Sequence, residues 1–193
     1  MSAPNIPVRL ADRPTVGGLV VPWISARTDR GYHLGKVSNV RRERAIRGHL
    51  CQLDGELLDE KFVLLARPSD QVAEYVAEPA LHPECAAYSM KACPMVAGRM
   101  EHYHATPMDL SQRTCADPER RCEVVSGPDA ALRAGAPAEP WFAVWADRSQ
   151  YQLAVGPDGA LLGLVYPQEP LKVRPVPGTV YATALELLTT GGA

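Results

Sequence analysis

Two short stretches constrain this chain more than any others. One is Cys51-Gln52-Leu53-Asp54-Gly55, and the other is His82-Pro83-Glu84-Cys85 downstream. Each sets two potential metal ligands apart by two residues, the separation at which one tight turn or one first helical turn can bite a single ion. Gly55, directly after the first pair, permits the left-handed backbone that such a turn needs. Pro83 suits the first turn of a helix, where its missing N–H is no loss, and Ala86-Ala87-Tyr88-Ser89-Met90-Lys91-Ala92 continues that helix with good propensity. A fold that honours both stretches brings a knuckle and a helix N-terminus to one point.

Zn²⁺ takes four ligands tetrahedrally from thiolate sulfur, imidazole nitrogen or carboxylate oxygen. Cys51, Asp54, His82 and Cys85 are such a set. A knuckle, then a hairpin, then a helix whose first turn supplies the last two ligands is the plan of a treble-clef zinc finger. The positive end of the helix dipole favours a thiolate at Cys85. The expected cofactor is therefore zinc, as a structural centre.

The second half of the pattern runs Glu78-Pro79-Ala80-Leu81-His82-Pro83-Glu84-Cys85-Ala86-Ala87-Tyr88-Ser89-Met90-Lys91-Ala92-Cys93-Pro94. It resembles an uncharacterised phage and bacterial family with a Cys-x-x-Cys-Gly knuckle followed, after a spacer, by Glu-Pro-Pro-x-His-x-x-Cys-Ala-x-Tyr-Ala-x-x-x-Cys-Pro. The resemblance covers roughly residues 50 to 98. It implies a treble-clef-like centre and no settled activity. This chain departs from the family at the second knuckle position, where Asp54 replaces Cys. The result is a harder donor set with one thiolate fewer.

The rest of the composition sets limits. With 193 residues, 46% of them hydrophobic, the chain is long enough to bury a core without disulfides. The opening MSAPNIPVRLADRP carries Pro and charge where a signal peptide would be apolar. No run approaches the ~20 apolar residues of a membrane span. These features predict a cytoplasmic protein without membrane association. In that compartment five cysteines point to metal ligands, reactive thiols or buried small residues before disulfides. The net charge of −2 hides a split. Residues 27 to 49 are basic, with Arg41, Arg42, Arg44 and Arg47 packed into one predicted helix, and residues 52 to 85 are acidic. A basic block of this kind fits a nucleic-acid or protein partner; its alternative is a solvated helix face that pairs with acids elsewhere.

The expected architecture is α+β: a treble-clef-like zinc-binding core and a C-terminal antiparallel β-meander, in a single domain over 1–193. Residues 1–102 form the metal-site half, 103–140 an irregular excursion, and 141–193 the meander with a terminal helix. In detail, Gly18–Ile24 reads as a strand that Pro22 restricts to an edge or a bulge. Val40–Arg47 reads as a helix capped by Ser38 or Asn39 and stopped by Gly48. Glu56–Leu58 and Phe62–Ala66 read as a hairpin around Asp59-Glu60. Tyr75–Ala77 and Trp141–Trp145 read as strands. Tyr151–Val155 and Ala160–Tyr166 read as a hairpin across Gly156-Pro157-Asp158-Gly159, and Leu171–Val176 as an edge strand. Thr179–Leu188 has the pattern of a short helix.

A second constellation competes for function. Cys93-Pro94 followed by His102 has the spacing found in heme-thiolate peroxygenases, although the Asn-rich helix of that family is absent. This resemblance implies the alternative of an enzyme with Cys93 as thiolate ligand to heme iron and His102 beside it. Cys115 and Cys122 lack Cys-x-x-Cys spacing and read as unpaired loop thiols. His82-x-Glu84 lacks the Pro-Cys-x-x-Cys that a zinc deaminase needs. Phosphate-loop, dinucleotide and Gly-x-Ser-x-Gly motifs are absent from the sequence.

Overall fold

A computed structural model of the chain describes residues 5–104 and 133–177. The predicted helix Thr179–Leu188 and the cysteines at 115 and 122 lie outside the described residues. Within them the fold mixes helices with antiparallel sheets. In chain order the elements are β1 (Thr15–Val16), β2 (Leu19–Val20), β3 (Ser25–Thr28), β4 (Gly31–Val37), α1 (Asn39–Arg47), β5 (Lys61–Ala66), α2 (Pro68–Val72), β6 (Tyr75–Val76), α3 (Pro83–Ala92), β7 (Phe142–Asp147), β8 (Leu153–Val155), β9 (Leu161–Val165) and β10 (Lys172–Pro175).

Among the described residues, two three-stranded sheets and two two-stranded ribbons result, with orders β10-β7-β5, β6-β9-β8, β1-β2 and β3-β4. β5 (Phe62-Val63-Leu64-Leu65-Ala66) is buried along almost its whole length. Such a continuous apolar run wants cover on both faces rather than alternation. It pairs antiparallel with β7 from Lys61↔Asp147 to Ala66↔Phe142. On its other side Val63 exchanges two backbone bonds of 2.9 Å with Leu81, just before His82. The centre of the core therefore lies directly behind the stretch that carries His82 and Cys85.

This pairing corrects two expectations. β5 does not form a hairpin with residues 56–58; Leu57 makes only an isolated bridge, to Leu50. The C-terminal strands are not a meander of their own either. β7 and β10 join β5, while β8 and β9 join β6. The reason is physical: β5 and β6 need apolar partners, and the strands after residue 141 are the ones that supply them. The hairpin β8–β9 across Gly156–Ala160 forms as its turn residues predict, with Gly159 at φ +82°.

Local signals set the helices. Ser38 caps α1, its hydroxyl accepting from the Arg41 N–H, and Gly48 ends it. α3 starts on Pro83 and stops at Ala92, before Pro94. Tyr88 ties α3 to β2 by accepting from the Val20 N–H at 2.9 Å. Tyr151 donates to the Ile46 carbonyl at 2.7 Å and so locks the end of α1 to the sheet side. No helix among the described residues is long and apolar enough to cross a membrane.

Candidate metal centre

The knuckle is a hydrogen-bonded turn. The Gly55 N–H donates to the Cys51 carbonyl at 2.9 Å, and the Cys51 N–H donates to the Glu56 carbonyl at 2.8 Å. Asp54 accepts from the Glu56 N–H through Oδ1 at 2.8 Å, which fixes one carboxylate oxygen and turns the other inward. Gly55 sits at φ +83°, and a Cβ there would lie 2.4 Å from the Trp23 ring. Glycine is thus required twice, for the backbone and for the approach of Trp23. The neighbouring chain holds the knuckle in place. Trp23 and Ile24 donate to the carbonyls of Leu53 and Gln52, and Gln52 donates to the carbonyl of Ala80. That last bond ties the knuckle to the segment that leads into His82.

His82 is the N-cap of α3 in extended conformation, and Cys85 lies in the helix's first turn. One donor atom from each of Cys51, Asp54, His82 and Cys85 lies within 4.8 Å of all the others, and all four residues are buried. The distances between them are short. His82 Nδ1 is 2.8 Å from Asp54 Oδ2, and the Cys85 thiol donates to the same oxygen at 3.2 Å. The Leu53 N–H donates to Cys51 Sγ at 3.4 Å. His82 Nε2 faces away from the cluster and donates to the Leu57 carbonyl at 2.9 Å. Metal-ligating histidines show the same division of labour, with one ring nitrogen toward the ion and the other N–H fixed by a carbonyl.

The electrostatics match a site built to exchange protons for a cation. For Cys51, burial pushes the thiol pKa up, but hydrogen bonds with Cys85 and His82 outweigh burial and bring it down to about 6. Burial would lower His82, yet its bonds to Asp54, Cys51 and the Leu57 carbonyl raise it to about 10. Burial would also raise Asp54, and His82 and the Glu56 N–H hold it below the usual carboxylate range. Cys85 is pushed up, first by its hydrogen bond to Cys51 and then by burial. The four groups share protons among themselves in a place that water does not reach, and two soft sulfurs, one imidazole and one carboxylate could hold a metal ion there.

The other residues singled out from the sequence are scattered. Arg41 is buried and donates to the Trp23 carbonyl at 2.8 Å. Arg42 donates to the carbonyls of Ala77, at 2.7 Å, and Leu162. These two guanidiniums are thus spent on the protein's own backbone. Arg44 and Arg47 are exposed, with Arg44 also 5.9 Å from the centre of the Trp23 ring. Cys93 is half-buried at the C-terminal end of α3, its thiol pushed up by burial. His102 is exposed and makes a bridge to Pro137.

Two arginines beside the centre have no local signature in the sequence. Arg9, on the turn Val8–Leu10, sits 3.4 Å from His82 Nε2 through Nη1. Burial pushes Arg13 down, and the charges of Tyr32, Asp54 and Cys51 oppose that shift. Comparison with protein-family models, with curated proteins and with solved structures finds no match.

Proposed function

We propose that this chain is a zinc-stabilised binding protein. The knuckle and the first turn of α3 form a treble-clef-like zinc centre, and the exposed side of α1 contacts nucleic acid or a protein partner. The observation that carries the reading is the convergence of four buried donors of the right chemistry within 4.8 Å. Four protein ligands complete a tetrahedron, the mark of a structural rather than a catalytic zinc site. Zinc there supplies a cross-link between the knuckle and α3. In model fingers such a link contributes roughly 10–16 kcal/mol, as much as the whole stability of a typical domain.

The partner surface rests on charge. Val40, Arg44 and Arg47 occupy the solvent side of α1, and Arg30 is exposed at the β3–β4 turn. Guanidiniums on one side of a short helix suit phosphate groups. The test is binding of labelled single-stranded and duplex oligonucleotides by fluorescence anisotropy at several salt concentrations. Affinity is expected to fall as salt rises and to be lost on combining Arg44→Glu with Arg47→Glu. Affinity indifferent to both would remove nucleic acid and leave a protein partner. The heme-enzyme alternative draws on no comparable cluster: Cys93 is half-buried at the C-terminal end of α3, and His102 is exposed and bridges to Pro137.

A further inference from the structure

Resting on the metal reading above, we propose that the N-terminal segment carrying Arg9 and Arg13 is an electrostatic clamp on the metal centre, one that supplies its counter-charge and sets how fast the ion leaves. The need for a counter-charge follows from the ligand set. Two thiolates and one carboxylate around a dication, with a neutral imidazole, leave one net negative charge in a buried place. An isolated buried charge is costly unless it is paired.

The segment is anchored where a clamp would have to be. Leu10 is fully buried in the same core cluster as Cys51 and Cys85. Pro7 starts the turn, and the N–H groups of Leu10 and Arg13 donate to the carbonyls of Pro7 and Leu10 at 2.9 and 3.1 Å. From this anchor Arg9 reaches both halves of the site. Its Nη2 donates to Asp59, just past the knuckle, at 3.2 Å, and its Nε lies 3.7 Å from Glu84, in the first turn of α3. Its Nη1 lies 3.4 Å from His82 Nε2. One guanidinium thus spans knuckle and helix from outside the ligand shell. Arg13, four residues further on, is half-buried. It donates to the Val21 carbonyl at 3.0 Å, while its Nε is buried without an acceptor. Burial works against its charge and so does Arg41, while Tyr32, Asp54 and Cys51 work for it.

Stability of the fold does not account for Arg9. Its carboxylate partners are more than half exposed, and pairs of that kind contribute little to folding. Their effect falls on the metal instead. Opening the site means separating the knuckle from α3, and Arg9 must let go of Asp59 or Glu84 for that to happen.

The experiment loads the full chain with Zn²⁺ and follows transfer to excess chromophoric chelator by stopped-flow absorbance. Wild type is compared with Arg9→Gln, Arg9→Lys and Arg13→Gln. Outer-shell partners typically change metal affinity by about 10- to 100-fold, so Arg9→Gln is expected to release zinc about tenfold faster, with Arg9→Lys in between. Added salt should speed release from wild type, because the clamp is partly exposed and screened, and should leave Arg9→Gln unchanged. The visible spectrum of the Co²⁺-loaded variants should match wild type, since no ligand has changed. Arg9→Gln and Arg13→Gln releasing zinc at the wild-type rate, with the wild-type salt dependence, would overturn the clamp while leaving the metal centre standing. Failure of wild type itself to take up Zn²⁺ or Co²⁺ would overturn both. Should Arg13→Gln not fold, the exposed Arg9 variants decide the outcome alone.

Discussion

Loading of the proposed centre would require protons to leave, and the hydrogen bonds point to which ones. His82 faces two acceptors, the Asp54 carboxylate at 2.8 Å from Nδ1 and the Leu57 carbonyl at 2.9 Å from Nε2. A ring that donates from both nitrogens is an imidazolium, in keeping with a pKa raised to about 10. Cys85 keeps its proton and donates it to Asp54. Cys51, brought down to about 6, is already a thiolate above neutrality, and Asp54 is a carboxylate. A metal ion binding between pH 7 and 8 therefore displaces two protons, one from His82 Nδ1 and one from Cys85 Sγ. Each displaced proton makes affinity rise about tenfold per pH unit, so the dissociation constant should fall about 100-fold per unit, or about 2.7 kcal/mol. Below about pH 6 the slope steepens as Cys51 takes up a third proton. Competition with a chelator of known affinity at several pH values gives the slope. Titration calorimetry in two buffers of different ionisation enthalpy counts the protons independently. A slope of one proton or none would refute the imidazolium–thiol arrangement, even if the metal binds.

The remaining predictions concern single substitutions. Cys85→Ser removes a soft ligand from the first turn of α3 and should abolish stoichiometric zinc uptake, read by metal analysis after desalting; full retention would mean that Cys85 is not a ligand. Gly55→Ala strains a positive-φ position and drives a methyl into Trp23, so denaturant unfolding should show a loss of at least about 1–3 kcal/mol. Leu64→Ala, at a fully buried position on β5, should cost about 2–5 kcal/mol and leave one metal per chain. A zinc-loaded Leu64→Ala as stable as wild type would show that the core is not where β5 and β7 meet.

The buried cluster of Cys51, Asp54, His82 and Cys85 was legible because it lies in two local motifs whose spacing is itself the signal. The same holds for α1 and α3: Ser38, Pro83 and Pro94 mark their ends by local chemistry. Partner choice was not legible. Asp59-Glu60 offers a plausible turn, but β5 gains more by pairing with β7, far along the chain, than with the short polar stretch before it. The inward turn of two basic side chains, Arg41 buried and Arg42 half-buried, was also hidden. Arg41 and Arg42 read as surface charge, yet their guanidiniums donate to the carbonyls of Trp23, Ala77 and, at an irregularity of the β8–β9 pairing, Leu162. Composition cannot distinguish an arginine that meets solvent from one that caps a distant loop. Arg9 and Arg13 were missed for the same reason, since nothing local in Val8–Arg13 points to a cluster that begins at Cys51.

The most direct test of the account is elemental analysis by mass spectrometry of the purified full chain, reading zinc and iron per chain together, with His82→Ala beside it. The account predicts about one zinc and no iron in wild type and a loss of zinc in the variant. Wild type without zinc, after purification free of chelators and after reconstitution with excess Zn²⁺, would contradict it.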